Sequence, residues 1–311
     1  MYTELTAGTS ALIQVSVSPL FSRWTEYLDA ADRTVETYTK NIRRFADYLA
    51  RTGETRPTRE TVIAYRESLT KEGCKPTTIQ SYLNSVKRFF AWTEAEGLYP
   101  NVSENVKGEK LDSEHKKDFL SAEQVRLLLS GIDRSTLAGA RDYAMILLMA
   151  TTGLRTVSVC AADIGDVRPG AGGYVLFYRG KGHDEKAVYV KLAQPVFSAI
   201  SAYLRARAVT GGSQPLFASV ANRDSGGRLT TRSVSRIVKD RMIAVGLDSD
   251  RLTAHSLRHT AATLNLLNGG SVEETQQLLG HKSITTTMIY SHAIERAKNQ
   301  SESRIADAIF G

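Results

Sequence analysis

Six polar side chains in the second half of the chain are of types that can bind and transfer an anionic group. They comprise two arginines, one lysine, two histidines and one tyrosine, each in a short, distinctive stretch. In chain order they are Arg155 in TTGLR, Lys181 in RGKGHDEK, His255 and Arg258 in HSLRH, His281 in LLGH and Tyr290 in TTTMIYSH. Taken singly, each has an ordinary structural explanation, such as an ion-paired surface arginine or a half-buried aromatic. Taken together, they suit one kind of chemistry.

That chemistry is the cleavage and rejoining of a phosphodiester. Attack by an oxygen nucleophile adds negative charge to the phosphate in its transition state, and arginines stabilise that charge without losing their proton. A lysine or histidine can protonate the leaving 5′-oxygen, and another histidine can accept the proton of the attacking hydroxyl. A tyrosine hydroxyl can form a covalent intermediate that conserves the bond energy. We therefore expect neither a metal ion nor another cofactor, and no need for ATP.

The sequence lacks most of the residue patterns that other kinds of catalytic or metal site require. The sequence shows no carboxylate pair, Cys/His cluster or P-loop. His255 and His259 are four apart, which raises the hypothesis of a zinc site, but Ser256 stands where a zincin helix carries its glutamate. His255 and Arg258, three apart, would instead share a helix face. A metal-dependent hydrolase is the weaker hypothesis.

The charge of the chain is consistent with a polyanionic partner. Net charge is +7, and residues 1–110 hold 15 Lys and Arg against 14 Asp and Glu, so most of the excess lies in the remainder. Such an excess suits a nucleic-acid partner, because cations that neutralise phosphates release counterions. A soluble protein of high pI would show it as well, and charge alone favours that simpler interpretation. Cys74 and Cys160 lack metal-type spacing, and the apolar run YAMILLMATTGL is too short to span a membrane. We expect a cytoplasmic protein without a secretion signal.

The pattern of apolar residues predicts two domains. Residues 15–98 show helical spacing and predict an all-α domain of four helices, with Gly53 ending one helix and Thr58 capping the next. Residues 99–119 are polar, charged and weakly periodic, which predicts an interdomain linker.

Residues 120–311 combine helices with one clear β signal. GGYVLFYRGKGHDEKAVYVKL alternates in two runs joined by a glycine-containing turn, which predicts a hairpin with Lys181 at its tip. A long apolar helix is predicted to break at Gly153, just before Arg155, and another helix to end at Gly280, just before His281. The expected fold class is mainly α with a small β-sheet, that is, α+β.

The ordered set of motifs resembles the tyrosine recombinases of the phage-integrase family. The resemblance covers nearly the whole chain and includes TTGLR, the hairpin with GKG, HSLRHTAAT, LLGH and TTTMIYSH, in family order and at family-like separations. Any one motif is weak evidence, whereas the ordered set is highly specific. No further domain is expected before the helical one, which favours an Xer-like recombinase or a mobile-element integrase without an arm-binding domain.

The resemblance implies that the helical domain is a SAM-like core-binding domain and that residues 120–311 are catalytic. Tyr290 would be the nucleophile that joins to a DNA 3′-phosphate. Arg155 and Arg258 would hold the scissile phosphate.

The other three residues of the set are implied to move protons and to stabilise charge. Lys181 would be the general acid for the 5′-hydroxyl leaving group. His255 would serve as a base or proton shuttle, and His281 would bond a non-bridging oxygen.

The resemblance also implies an assembly. The two domains would close around duplex DNA as a C-shaped clamp, and four protomers would exchange strands in pairs through a Holliday junction. The tail helix around Ile305 to Phe310 would dock on a neighbouring protomer, although packing on its own domain is the simpler interpretation. A partner recombinase or accessory factor is left open, and no membrane partner is expected.

Two helical segments supply candidate DNA contacts outside the catalytic set. Short polar side chains at a helix N-terminus fit phosphate contacts, and basic residues along one strip of a helix do the same. Solvent-exposed helix faces without a ligand would look alike in the sequence. The candidates are Thr77, Thr78, Gln80, Ser81, Lys87 and Arg88 in the first segment and Arg232, Arg236 and Lys239 in the second.

Two alternatives share part of this interpretation. A type IB topoisomerase would use the same nicking and closing chemistry, but it would relax plasmids that lack any cognate site. A sequence-specific DNA-binding protein with attenuated catalysis is suggested by Ser158 alone. The DNA site, and the choice between phage integration, transposon mobility and chromosome-dimer resolution, cannot be read from one sequence.

Ser158 yields the first prediction. The family usually carries a carboxylate three residues after the first arginine, where it helps to orient the site, and a serine there offers a hydrogen bond but no charge. We expect Ser158→Glu to raise the rate of recombination on a cognate site. Equal or lower activity of the Glu variant would count against this expectation.

Overall fold

The structure is a computed structural model. The chain divides into two compact units at residue 114, and each is described here by itself. Both are largely helical, and the second also contains a three-stranded sheet, which confirms the expected fold class. The residues described are 19–110, 118–180, 185–221 and 224–310.

Four helices lie in the described part of the first unit, residues 19–110, and their ends follow the signals predicted from the sequence. Gly53 ends the second helix in the left-handed conformation, with φ of 69°, and Thr58 caps the third by accepting the backbone N–H of Thr61. The helices are α1 Pro19–Tyr27, α2 Asp32–Thr52, α3 Arg59–Lys71 and α4 Pro76–Ala95.

Aromatic side chains fill the core of the first unit. Trp24 packs edge-on against Phe89 with ring centroids 5.3 Å apart, and Phe45 packs in the same way against Tyr65 at 4.9 Å. Edge-to-face pairs of this kind add to the stabilisation from the apolar area that they bury. The core thereby holds helices α1 to α4 together.

The segment after α4 also packs on the first unit. Val106 is buried in its core, and the Tyr99 hydroxyl donates a hydrogen bond to the Pro57 carbonyl over 2.9 Å. The first half of the predicted linker, residues 99–110, is thus packed against the helices. Its apolar residues are too few to show a helical or strand period, so the sequence pattern did not indicate this packing.

The helices of the second unit surround one apolar helix. That helix, α6 (Leu137–Thr152), contacts α8 (Gln194–Arg207) and α10 (Ala254–Leu267) and is buried along most of its length, as its apolar run predicts. No helix in the described part of the chain is long and apolar enough to cross a membrane. The helices are α5 Ala122–Ser130, α6 Leu137–Thr152, α7 Thr156–Ala161, α8 Gln194–Arg207, α9 Thr231–Ala244, α10 Ala254–Leu267, α11 Val272–Leu279, α12 Thr285–Lys298 and α13 Ser301–Phe310.

The sheet is antiparallel throughout, in the order β1-β2-β3. Leu176 of the central strand pairs with Val167 on one side and Val190 on the other, and it is fully buried in the core of the unit. The sequence predicted the second and third strands but missed the first, because that strand is short, mostly exposed and contains Pro169. The strands are β1 Val167–Gly170, β2 Gly173–Tyr178 and β3 Val188–Leu192.

A buried carboxylate joins α6 to α9. One oxygen of Asp142 accepts hydrogen bonds from Nε and Nη2 of Arg141 at 2.8 and 2.7 Å. The other oxygen accepts from Nε and Nη2 of Arg241 at 2.9 and 2.7 Å. Arg141 also donates to the Ala218 carbonyl, so a buried guanidinium and a buried carboxylate satisfy each other.

We expect Asp142→Asn to lower the free energy of unfolding by about 3–5 kcal/mol, because the buried Arg141 charge would lose its counter-charge. The measurement is chemical denaturation followed by circular dichroism. A matched control is Asp118→Asn, which breaks the solvent-exposed pair with Arg251 and should change the free energy by less than about 1 kcal/mol. Similar losses in the two variants would contradict the assigned role of the buried cluster.

Candidate active site

Two helix ends approach each other in the second unit. Gly153 ends α6 with φ of 64° and Gly280 ends α11 with φ of 60°, both in the left-handed region, as the sequence predicts. A Cβ on Gly153 would lie 2.5 Å from the side chain of Leu279, the last residue of α11. The approach is therefore too close for a side chain at position 153.

Arg258 on α10 joins these two helix ends. Its Nη1 donates to the carbonyl of Gly153 and its Nη2 to the carbonyl of Leu279, each over 2.7 Å, and the residue is only 4% exposed. Burial, and then the positive charge of Arg155, lower the pKa of Arg258 to about 10. The guanidinium stays protonated at neutral pH, so the site holds a desolvated positive charge that an anion would stabilise.

Arg155 lies at the N-terminus of α7, just after the end of α6, and is half-buried. Its charge acts on Arg258, Tyr290 and His281, which places it among the same groups. Ser158 is buried in the first turn of α7, three residues further on. The two arginines that the sequence singled out are thus brought together, as the phosphate-binding hypothesis requires.

Tyr290 lies on α12, which packs against α10, and its side chain is buried. The hydroxyl lies 2.6 Å from Nδ1 of His259. Burial raises the pKa of Tyr290, whereas the positive charges of Arg258 and Arg155 lower it. The hydroxyl is therefore close enough to both guanidiniums for their charges to stabilise its anionic form.

His259 is the residue that the sequence interpretation missed. It was considered only as the second ligand of a zinc site, yet it is buried with its Nδ1 at the Tyr290 hydroxyl. His255, one turn earlier, is exposed and in edge-to-face contact with His259, with ring centroids 4.6 Å apart. The signal was the spacing of four residues, which places both histidines on one face of α10.

His281 follows the end of α11 and is half-buried beside α12. Its Nδ1 lies 2.8 Å from Oγ1 of Thr287, and the Gln276 side chain donates to its carbonyl over 3.0 Å. Burial is the main cause that lowers the pKa of His281 to about 4, and the charges of Arg258 and Arg155 add to it. The imidazole is therefore neutral at physiological pH and able to bond a phosphate oxygen without adding charge.

Tyr178, at the end of β2, also reaches this region. A Cβ on Gly280 would lie 3.3 Å from the Tyr178 hydroxyl, and the residue is buried. Burial raises the pKa of Tyr178, while Arg258 and Arg155 lower it, as they do for Tyr290. An aromatic at the end of a strand is usually a core residue, so the sequence offered no signal for this position.

Lys181 lies outside the described residues, so its predicted place at the hairpin tip stays a prediction. Lys186, which is among the described residues, has its Nζ 2.7 Å from Asp163 and 2.5 Å from Asp166. Among the residues that the structure describes, no group of three His, Cys, Asp or Glu side chains is placed to hold a metal ion.

The predicted DNA-contact residues of the first unit lie along α4. Thr77, Thr78 and Arg88 are exposed, whereas Gln80, Ser81 and Lys87 are partly buried. Three of the six line a groove between the start of α2 and α4, and that groove also contains residues that the sequence interpretation did not select. Its lining is Arg33, Thr34, Thr37, Tyr38, Thr77, Gln80, Ser81 and Asn84.

The predicted strip on α9 is less uniform. Arg232 and Arg236 are exposed. Lys239 is instead half-buried, and its Nζ donates to Asp248 over 3.1 Å and to the Ser249 carbonyl over 2.8 Å. Two of the three side chains are therefore presented to solvent.

The similarity to known proteins extends over nearly the whole chain. The family model described as "Phage integrase family" matches residues 118–296, and the one described as "Phage integrase, N-terminal SAM-like domain" matches residues 21–97. Tyrosine recombinase XerD of Caulobacter vibrioides is 30% identical over 275 residues, which cover 85% of this chain and 87% of the relative. Tyrosine recombinase XerC of Chlamydia caviae is 28% identical over 88% of this chain and 92% of the relative.

Solved structures share the fold. The XerH site-specific recombinase bound to palindromic difH substrate, in a post-cleavage complex, aligns with a TM-score of 0.69 and 24% identity over 85% of this chain and 78% of that one. A lambda integrase tetramer bound to a Holliday junction aligns with a TM-score of 0.65 and 21% identity over 87% of this chain and 76% of that one.

Proposed function

The chain belongs to the phage integrase family and is a site-specific tyrosine recombinase, and from that premise we propose that Tyr290 is its nucleophile. One observation carries the proposal. Tyr290 is buried, which raises its pKa, and the charges of both Arg258 and Arg155 act on its hydroxyl to lower that pKa. These two positive charges favour the phenolate that attack on phosphorus requires. XerD and XerC, the relatives described above, are named as tyrosine recombinases.

In the proposed reaction, Arg155 and Arg258 hold the non-bridging oxygens of the scissile phosphate. The Tyr290 oxygen attacks phosphorus, the bond to the 5′-oxygen breaks, and a 3′-phosphotyrosine forms. Lys181 donates a proton to the departing 5′-oxygen. Attack by a 5′-hydroxyl from another strand reverses these steps, so the bond energy is conserved and no nucleotide cofactor is consumed.

His281 suits the role of a neutral partner for the phosphate. Because its pKa lies near 4, it contributes a hydrogen bond rather than a third full charge at this site. Tyr178 has its hydroxyl beside Gly280, immediately before His281 in the chain. His255 is exposed and next to His259, which is consistent with the proposed role of His255 as a base or proton shuttle.

We propose that each unit supplies a DNA surface. In the first unit this surface is the groove between α2 and α4, because its hydroxyl and amide groups and Arg33 suit contacts with phosphates and base edges. In the second unit, Arg232 and Arg236 lie exposed one turn apart on α9. Lys239 is the weakest candidate of that strip, since Asp248 already engages its charge.

The last helix supports the proposal of an assembly. In α13 the apolar residues Ile305, Ile309 and Phe310 are 59%, 66% and 87% exposed, and the helix buries none of its residues. An apolar face of this kind is typical of a protein–protein contact. We propose that it docks on a second copy of the chain and that four copies act together on DNA, as in the lambda integrase tetramer bound to a Holliday junction.

The nucleophile is tested with nicked duplexes that carry candidate core sites and trap the covalent intermediate, in the presence of EDTA. We expect an adduct on denaturing gels with the wild-type chain and none with Tyr290→Phe, because the phenylalanine lacks the attacking oxygen. Tyr178→Phe is a matched control, since it removes the other hydroxyl near the two arginines; it should still form the adduct. Adduct formation by Tyr290→Phe would overturn the assignment.

The DNA surface of the first unit is tested by binding measurements over a range of salt concentrations. We expect Arg33→Gln to weaken binding and to reduce the slope of log affinity against log salt by about 1, as loss of one phosphate contact predicts. Arg51→Gln is the matched control, because Arg51 is exposed at the other end of α2 and pairs with Glu72. Equal slopes for wild type and Arg33→Gln would remove the groove from the interface.

A further inference from the structure

We propose that Thr287 is a positioning residue for the reaction, because its buried hydroxyl holds the His281 ring with the protonated Nε2 available to the scissile phosphate. The proposal rests on the proposed role of His281 as a ligand of a phosphate oxygen and adds the residue that orients this ligand. Thr287 lies on α12, three residues before Tyr290, and the sequence interpretation did not select it.

A hydrogen bond between two side chains carries the inference. Oγ1 of Thr287 lies 2.8 Å from Nδ1 of His281, within the range for a hydrogen bond from a hydroxyl. Thr287 is fully buried, with 0% of its surface exposed. Among the residues that the structure describes, His281 is the only hydrogen-bond partner of this hydroxyl. A buried hydroxyl proton needs an acceptor, and Nδ1 is the acceptor within reach.

The direction of this hydrogen bond decides the tautomer of His281. When the Thr287 hydroxyl donates, Nδ1 is the unprotonated nitrogen, and the single proton of a neutral imidazole is then on Nε2. If Nδ1 donated instead, the hydroxyl proton of Thr287 would be buried without an acceptor in the described part of the chain. The first arrangement satisfies both groups. It also makes Nε2 a hydrogen-bond donor, as contact with a phosphate oxygen requires.

The surroundings of His281 keep its ring neutral, and this makes the tautomer important. Burial is the largest cause that lowers the pKa of His281 to about 4, followed by the charges of Arg258, Arg155 and His255. A doubly protonated ring would donate from both nitrogens, whereas a neutral ring donates from one only. At neutral pH the ring therefore depends on Thr287 to keep its single proton on the nitrogen that faces away from α12's hydroxyl.

Two helices hold His281 in place. Its backbone is held by α11, because its N–H donates to the Gln276 carbonyl over 3.1 Å and the Gln276 side chain donates to its carbonyl over 3.0 Å. Its ring is held by Thr287 on α12, and α12 packs against both α10 and α11. Tyr290 lies one helical turn after Thr287, and both are buried. The helix that supplies the proposed nucleophile therefore also orients the proposed phosphate ligand.

The tautomer is tested by NMR on the full chain with histidine labelled with nitrogen-15. Long-range proton–nitrogen correlation spectra distinguish a protonated from an unprotonated ring nitrogen. The signals of His281 are assigned by their loss in His281→Ala. We expect the ring of wild-type His281 to carry its proton on Nε2 at neutral pH. A proton on Nδ1 would overturn the inference, and this readout requires neither DNA nor activity.

The positioning role is tested by single-turnover formation of the covalent adduct at saturating DNA occupancy. Thr287→Val keeps the shape of the side chain and removes the hydroxyl. We expect it to slow the reaction roughly 10–100-fold, as displacement of a group that contacts the reacting atoms predicts, with the affinity for DNA within a few-fold of wild type. Thr287→Ser keeps the hydroxyl and should restore most of the rate. Thr286→Val is the matched control, because this neighbouring threonine is exposed, and it should react like wild type.

A double-mutant cycle separates this role from a structural one. If Thr287 acts through His281, Thr287→Val should cause no further loss of rate in a chain that already carries His281→Ala. An equal loss in both backgrounds would show that the hydroxyl acts independently of His281 and would overturn the inference. A Thr287→Ser variant as slow as Thr287→Val would do the same. Thermal melting checks that each variant is folded.

The inference and the proposed function fail in different ways. If the wild-type chain formed no adduct, or if Tyr290→Phe formed one, the proposed nucleophile would fail and, with it, the reaction that Thr287 is proposed to serve. If the adduct depended on Tyr290 but His281→Ala reacted at the wild-type rate, the proposed role of His281 would fail and this inference with it. If the adduct depended on both residues but Thr287→Val reacted at the wild-type rate, only the role of Thr287 would fail.

Discussion

The buried guanidinium of Arg258 is the interaction on which the rest of the site depends. Its two terminal nitrogens bind the carbonyls at the ends of α6 and α11, and this brings the TTGLR and LLGH stretches together. Those carbonyls are orphan acceptors of helix ends, so the arginine satisfies groups that would otherwise lack a partner. The bonds orient the guanidinium without neutralising it. Its charge is left for an anion, and the lowered pKa of Arg258 shows how strongly the site disfavours that charge in isolation.

This excess of positive charge shifts the pKa values of the other groups in the site. His281 is neutral mainly because burial lowers its pKa, and the charges of Arg258 and Arg155 lower that pKa further. Burial raises the pKa of Tyr290 and of Tyr178, although both guanidiniums favour their anions. Binding of a phosphate would compensate the two arginines at once. A site built from side chains alone can in this way stabilise a phosphoryl transition state by preorganised charge.

Much of the fold followed from local signals in the sequence. Gly53, Thr58, Gly153 and Gly280 end or begin helices where the sequence predicts, because left-handed glycines and side-chain caps act within a few residues. Strand β1 and the packing of residues 99–110 were missed for the complementary reason. Both depend on partners distant in the chain, and their own residues carry no period that a local pattern can show.

The sequence by itself determined which side chains are available for chemistry: two arginines, a lysine, two histidines and a tyrosine in an order and spacing typical of one family. Only the tertiary structure decided which of them touch. The partner of the Tyr290 hydroxyl is His259, 31 residues earlier, and that contact exists because α12 packs across α10. Tyr178 belongs to the site because β2 places its hydroxyl beside Gly280. Residue types and helix ends are local properties of a chain, whereas a hydrogen bond of 2.6 Å is set by how whole helices pack.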